Sequence, residues 1–244
     1  MKLLKLITNE YYKNSFSKIA IIAFILINFS GILLFLVHYL GKDFVIENNF
    51  NNWKDYLFGT LDMTINFFTP IAVTIIGISI FNLEYNEGTL KNLLVCGYNR
   101  NKIILSKIFY GISLIFITFL ISLGTNFLLL RLLNYNYECI DVLNYFKMHI
   151  LSSVYSIPLL LLMVLLIIII KNSFIVFAIS FSGLIVSSVI KYIIPKFILP
   201  WNLPSTVYQL ELENYFFINN IYFIIYFITF LLLALYFFSI EDIK

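Results

Sequence analysis

Leu159-Leu160-Leu161-Leu162-Met163-Val164-Leu165-Leu166-Ile167-Ile168-Ile169-Ile170 is followed by Lys171-Asn172-Ser173 and then Phe174-Ile175-Val176-Phe177-Ala178-Ile179. Two long apolar runs thus stand back to back across a minimal polar break. A helix needs about 20 apolar residues to cross roughly 30 Å of hydrocarbon. With so short a break, the two runs read as antiparallel crossings joined by a tight hairpin. Outward from this pair, further runs complete a set of six at approximately 19–40, 65–83, 108–130, 150–170, 173–194 and 215–240. Every backbone polar group inside hydrocarbon must be satisfied locally, which selects helices. The expected fold is therefore an all-α polytopic membrane protein, with residues 1–244 forming a single transmembrane domain.

Composition agrees. The 244 residues are 61% hydrophobic and only 12% charged, with a mean hydropathy of +0.94. Soluble domains sit near half apolar and one quarter charged, so this chain lacks the polar side chains to cover a water-facing surface. Its abundance of Asn, Ile, Tyr, Phe and Lys fits AT-rich coding and a low-GC Gram-positive bacterial source. Cys96 and Cys139 fall in different polar connections, on opposite sides of the expected topology. Neither a disulfide nor metal-ligand spacing follows from them. Asn9, Glu10, Lys13 and Lys18 interrupt any signal-peptide apolar core, so the first run reads as a retained crossing.

Basic residues orient the chain. With the N-terminus inside, Lys2, Lys5, Lys13, Lys18, Lys91, Arg100, Lys102, Lys107, Lys171 and Lys244 are cytoplasmic. The smaller set of Lys42, Lys54, Arg131, Lys147, Lys191 and Lys196 is external, in the sense of the positive-inside rule. Both termini are then expected in the cytoplasm of a multi-pass protein of the cell membrane. Residues 1–18 place Leu3, Leu4, Ile7 and Tyr11 on one helical face and Lys2, Lys5, Asn9 and Lys13 opposite. That is the pattern of an interfacial amphipathic helix. The connection 41–64 reads as a short polar excursion. Segment 195–214 is broken by Pro195, Pro200 and Pro204 but apolar for a loop, which suits a segment dipping back into the outer interface or plugging a pathway.

Between the second and third runs the chain reads Glu84-Tyr85-Asn86-Glu87-Gly88-Thr89-Leu90-Lys91-Asn92-Leu93-Leu94-Val95-Cys96-Gly97-Tyr98-Asn99-Arg100. Thr89 is a helix N-cap candidate, Leu90, Leu93 and Leu94 fall at i, i+3 and i+4, and Gly97 offers a left-handed exit. A short amphipathic helix is expected here. Its leucine face would rest either on lipid or on a cytoplasmic partner.

The order Glu84, Glu87-Gly88-Thr89-Leu90-Lys91, Leu94, then Arg100 and Lys107, resembles the ABC-2 type permease family. The resemblance extends over the whole chain and implies an ABCG-like (type V) exporter. In that arrangement two membrane halves assemble with two cytoplasmic ATP-binding subunits, which bind ATP and Mg. The second membrane half would be another copy of this chain or a sister permease. Carried over, Glu84 and Glu87 would hold the loop and pair with nearby bases, and Gly88 would allow the turn. Thr89, Leu90, Lys91, Leu93 and Leu94 would lie in the contact with the ATP-binding subunit. Arg100 and Lys107 would anchor the start of the third crossing. A proline frequent near Gly97 in the family is absent here. Pro200-Trp201-Asn202-Leu203-Pro204 further resembles permeases of lantibiotic immunity and bacitracin-type resistance, which implies an antimicrobial peptide or a lipid-like amphipathic substrate.

Other chemistry is not legible. No phosphate-binding Gly-x-x-x-x-Gly-Lys-Ser/Thr loop occurs, so ATP hydrolysis belongs to a separate subunit and this chain binds no cofactor. His38 and His149 read as interfacial residues, no catalytic constellation is present, and nothing suggests nucleic acid as a partner. The polar residues within the runs read as hydrogen-bonding glue between helices. Alternatively, Asn28, Asn66 and Thr74 line a path between two copies. Pro200, Trp201 and Pro204 would form an external gate. Small residues around Ser180, Gly183 and Ser187 suit close packing within the subunit. Two other functions fit the same chain: a non-transporting assembly or sensing subunit, and, more distantly, a secondary transporter.

Overall fold

The computed structural model describes residues 2–14, 18–41, 53–88, 90, 95, 98–133, 139–190, 193, 195, 198–209 and 213–240. Among them there is no strand. The helices are α1 (Lys2–Asn14), α2 (Lys18–Leu40), α3 (Trp53–Met63), α4 (Thr69–Glu87), α5 (Arg100–Leu132), α6 (Cys139–Tyr155), α7 (Ile157–Ile170), α8 (Ser173–Ile190) and α9 (Glu213–Ile240). Six crossings result: Ile21–Leu40, Trp53–Phe81, Arg100–Leu132, Val142–Ile170, Ser173–Ile190 and Phe216–Ile240. The end of the bundle bearing α1 is termed proximal and the opposite end distal.

The second crossing begins well before the apolar run at 65, within the stretch expected to be a polar excursion. Trp53, Tyr56, Leu57, Thr60 and Leu61 are buried along one side of α3. This i, i+3, i+4 pattern is helical, but Lys54, Asp55 and Asp62 between those positions dilute its average hydropathy. A π-helical turn, Thr64–Phe68, joins α3 to α4. Pro70, in the first turn of α4, supplies no N–H to the preceding turn. The helix widens there, and the Thr69 N–H bonds back to the Thr64 carbonyl.

The fourth crossing is similarly built of α6 and α7, meeting at Ser156 just before Pro158. Because α7 is apolar on every side, it is the buried strut of the bundle, packed against α4 and α9. The tight hairpin after it has a clear local cause. Lys171 closes α7 in the left-handed region, φ 55°, with its N–H on the Ile167 carbonyl at 3.0 Å. The Asn172 side chain then caps α8, accepting from the N–H groups of Phe174 (3.0 Å) and Ile175 (3.2 Å).

Two apolar cores stack along the bundle. One, around Ile76, Phe81, Ile104, Leu160 and Phe238, reaches the proximal end and includes Leu6 and Leu90. The distal one gathers Trp53, Tyr56, Leu61 and Tyr145 and receives Leu203 and Val207 from a 3-10 helix, Leu203–Gln209. Segment 198–209 is therefore folded back onto the bundle.

Candidate functional site

The proximal end holds a buried charge cluster that joins three elements. Lys107, two turns beyond the start of α5, is 1% exposed. Its ammonium donates to Glu10 Oε1 at 3.0 Å, to the Ile80 carbonyl at 3.1 Å, and lies 2.8 Å from Glu84 Oε1. Those contacts use all the protons an ammonium has. Lys13 of α1 reaches the same Glu84 oxygen at 3.1 Å, and the Phe81 ring lies 5.4 Å from the Lys107 nitrogen. Two carboxylates thus face two ammonium groups, and the cluster is charge-balanced when all are ionised. Burial raises the Glu10 carboxyl above the ordinary carboxylate range; Lys107 opposes this and Glu84 adds to it.

Glu84 and Lys107 are residues the sequence singled out; Glu10 and Lys13 are not. The signal for Glu10 is its position, one turn after Leu6, on the face that packs inward. The face of α1 packed on the bundle is that of Leu6 and Glu10, which leaves Leu4 of the expected apolar stripe outward. Leu4 is 69% exposed and Tyr11 stands at the edge against Tyr110, while Leu6 and Glu10 are buried. Leu3, in the same stripe, lies outside the described side chains.

Arg100 ties the third crossing to the sixth. Its guanidinium donates to the carbonyls of Phe238 (3.3 Å) and Ser239 (3.0 Å), orphaned acceptors at the end of α9.

Along one side of the bundle, Ile75, Ile78, Ser79, Ser173, Phe174 and Phe177 line an open apolar cavity of about 350 Å³ between α4 and α8. Toward the distal end it is pinched where the hydroxyls of Thr74 and Ser180 hydrogen-bond. Ser180 has a second role: its carbonyl accepts from Trp201 Nε1 at 3.1 Å. The Trp201 ring lies on Gly183, and Asn202 Nδ2 donates to the Ser187 carbonyl at 3.1 Å. The small residues of α8 do pack within the subunit, as their receiving surface for segment 198–209. Pro200 and Pro204 are buried in that segment.

The model of the family described as ABC-2 family transporter protein matches residues 6–189. The chain belongs to the ABC-2 transporter family. No curated protein and no solved structure matches it. The match runs from α1 through the fifth crossing, so it takes in Glu10, Glu84 and Lys107 and stops short of segment 198–209 and α9.

In this ABC-2 protein the three polar residues expected along a path are not brought together. Asn28 Oδ1 accepts from Thr125 Oγ1 at 2.6 Å, joining the first and third crossings. Asn66 turns its amide onto Asp62 of its own helix, at 2.7 Å from the carboxylate. Only Thr74 borders the groove, and Ser180 links it to Trp201. Thr74→Val should cost about 0.6 kcal/mol, the mean for an interhelical hydrogen bond in a bilayer, read as a small shift in denaturation midpoint in detergent.

The connection from 88 to 99 begins with Gly88 in the left-handed region, φ 64°, which ends α4. Leu90 is buried in this subunit's own core, whereas Val95 is 87% exposed. Thr89, Lys91, Leu93, Leu94 and Gly97 lie outside the described residues, as does the Glu87 side chain. Both histidines are inside the bundle. A His38 ring nitrogen lies 2.9 Å from the Leu34 carbonyl, and one of His149 lies 2.9 Å from that of Phe119.

Proposed function

We propose that the chain is the permease subunit of an ATP-driven exporter that expels an amphipathic substrate. The carrying observation is the Lys107 cluster, which fastens α1 and the second and third crossings together on either side of connection 88–99. A push on that connection from a cytoplasmic partner would then move three elements as one. The groove between α4 and α8 supports an amphipathic cargo, being apolar with hydroxyls at its pinch. Two such grooves, from two copies or from this chain and a sister permease, would face one another across the cavity. Lysines and arginines at the proximal end, Lys5, Lys13, Arg100, Lys102, Lys107 and Lys171, support an orientation with that end and both termini in the cytoplasm. There α1 would lie at the membrane interface. Two ATP-binding subunits would hold ATP and Mg and carry out hydrolysis. The substrate best matched to the groove and the Pro200–Trp201–Pro204 segment is an antimicrobial peptide of lantibiotic or bacteriocin type. Its expulsion would give immunity or resistance to a low-GC Gram-positive cell.

The test is co-purification with candidate ATP-binding subunits, then peptide-stimulated ATP hydrolysis in liposomes. Val95→Asp, with Leu93→Asp and Leu94→Asp, should abolish stimulation and weaken the complex. Leu90 is left intact because its burial would confound the result with misfolding. Full stimulated turnover in the triple variant would remove the coupling role from this connection. A chain that binds a cytoplasmic partner but never stimulates hydrolysis or moves peptide would be an assembly or sensing subunit.

A further inference from the structure

The second crossing carries a carboxylate deep within the bundle's length. The hydroxyls of Ser30 and Thr64 hydrogen-bond at 2.6 Å, and the rings of His38 and Tyr56 meet at 5.5 Å, so the first and second crossings run antiparallel in register. Asp62 lies between those two levels, close to that of Thr64. Ser30 is at the middle of the crossing Ile21–Leu40. At about 1.5 Å of rise per residue, Asp62 is therefore roughly 12 Å inside the distal end of that crossing. Its side chain is exposed on the outside of the bundle. Among the described residues its partner is Asn66, whose amide donates to Asp62 Oδ1 at 2.7 Å and to the Asp62 carbonyl at 3.1 Å. That amide fixes the carboxylate and leaves its other oxygen available as an acceptor. An ionisable group at such depth is costly against lipid, and its place is on a water-filled cavity or opposite a counter-charge.

The side that Asp62 occupies is also the side of the groove. Across the π-helical turn, Thr64–Phe68, the repeat along one face lengthens to five residues. Asp62 is followed on that face by Phe67 and then, at steps of four, by Ile71, Ile75 and Ser79, all exposed or half-buried. Ile71 borders the pinch, and Ile75 and Ser79 line the cavity. An anionic group thus stands at the distal end of an otherwise apolar track. We propose that Asp62 is a specificity-determining residue, which receives the ammonium or guanidinium group of a cationic amphipathic cargo while the apolar part of that cargo lies along the groove. This rests on the exporter reading above and narrows its substrate from amphipathic to cationic. A neutral cargo leaves the acid without a counter-charge inside the bilayer, and an anionic one is repelled.

The experiment uses the full chain in lipid nanodiscs, with empty nanodiscs as the blank, and two fluorescent probes: a dansylated alkylammonium and the alcohol of the same chain length. Wild type is expected to bind the ammonium about tenfold tighter than the alcohol, the low end for a charge-assisted hydrogen bond. Asp62→Asn should weaken the ammonium alone and bring the two affinities together, whereas Asp62→Glu should keep the preference. Equal binding of both probes by wild type, an Asp62→Asn protein that still prefers the ammonium, or one that loses both probes together overturns the proposal. So does an Asp62→Asn protein that dissociates from a second copy with its probe preference intact, which would give the acid to a contact between subunits. A second measurement asks whether the position meets water. Asp62→Cys, with Cys96→Ser and Cys139→Ser, should react with a membrane-impermeant cationic thiosulfonate, and no reaction would place the side chain in lipid and end the idea. Neither readout needs ATP hydrolysis, so a complex that never couples peptide to turnover defeats the exporter reading and not the cation site.

Discussion

Replacing Lys107 by methionine should lower the unfolding free energy by about 3–5 kcal/mol, the largest single-residue effect expected in this chain. Methionine matches the stem and keeps the apolar packing against Phe81, so the loss isolates the ammonium. Without it, Glu10 and Glu84 remain buried within reach of one another, with Lys13 still on the Glu84 oxygen. The Ile80 carbonyl also loses its extra donor. The measurement is unfolding in mixed micelles, with yield of folded protein as a second readout. Removing the orphaned charges as well, in Glu10→Gln/Glu84→Gln/Lys107→Met, should recover a large part of the loss, because a cluster emptied of charge needs no partner. A triple variant no more stable than Lys107→Met would mean that the cluster is held by shape and not by charge.

The fold was legible where one residue type fills a whole run. Residues 159–170 read as a membrane crossing from their apolar run alone, and Lys171-Asn172, read as the break of a tight hairpin, supplies both the left-handed stop and the cap of the next helix. It was less legible where burial comes from within the protein. Trp53, Tyr56, Leu57 and Leu61 form a helical face whose neighbours are charged, and window hydropathy averages the two. Glu84 and Lys107 could be named because their order along the chain carries the resemblance to the ABC-2 family. Glu10 could not, since a glutamate on a lysine-rich helix looks solvated until its partner, distant in sequence, is folded against it. Leu90 shows the converse: its spacing gives a face but not the direction of that face, and it turns into the subunit's own core. Trp201 was read as part of a segment unusually apolar for a loop. Its seat on Gly183 needed the fold, because nothing in either residue announces the other.

That seat yields the second large effect. A Cβ on Gly183 would stand 2.4 Å from Trp201 Cζ2 and 2.5 Å from Cε2, distances no side chain tolerates. The indole has little freedom to yield, since Nε1 is committed to the Ser180 carbonyl and Asn202 next to it is committed to that of Ser187. Gly183→Val should therefore expel the ring and lift segment 198–209, at about 1–3 kcal/mol for overpacking. The chain has two tryptophans, Trp53 and Trp201. In a Trp53→Phe background the fluorescence of Trp201 alone reports the event, as greater quenching by acrylamide. Trp201→Ala vacates the space the valine needs, so Gly183→Val should cost almost nothing further in that background. Strictly additive costs would show that the glycine serves something other than the indole. Because Ser180 also hydrogen-bonds Thr74, displacement of Trp201 reaches the pinch of the groove directly. A wider groove should then take up an apolar fluorescent probe more readily in Gly183→Val than in wild type.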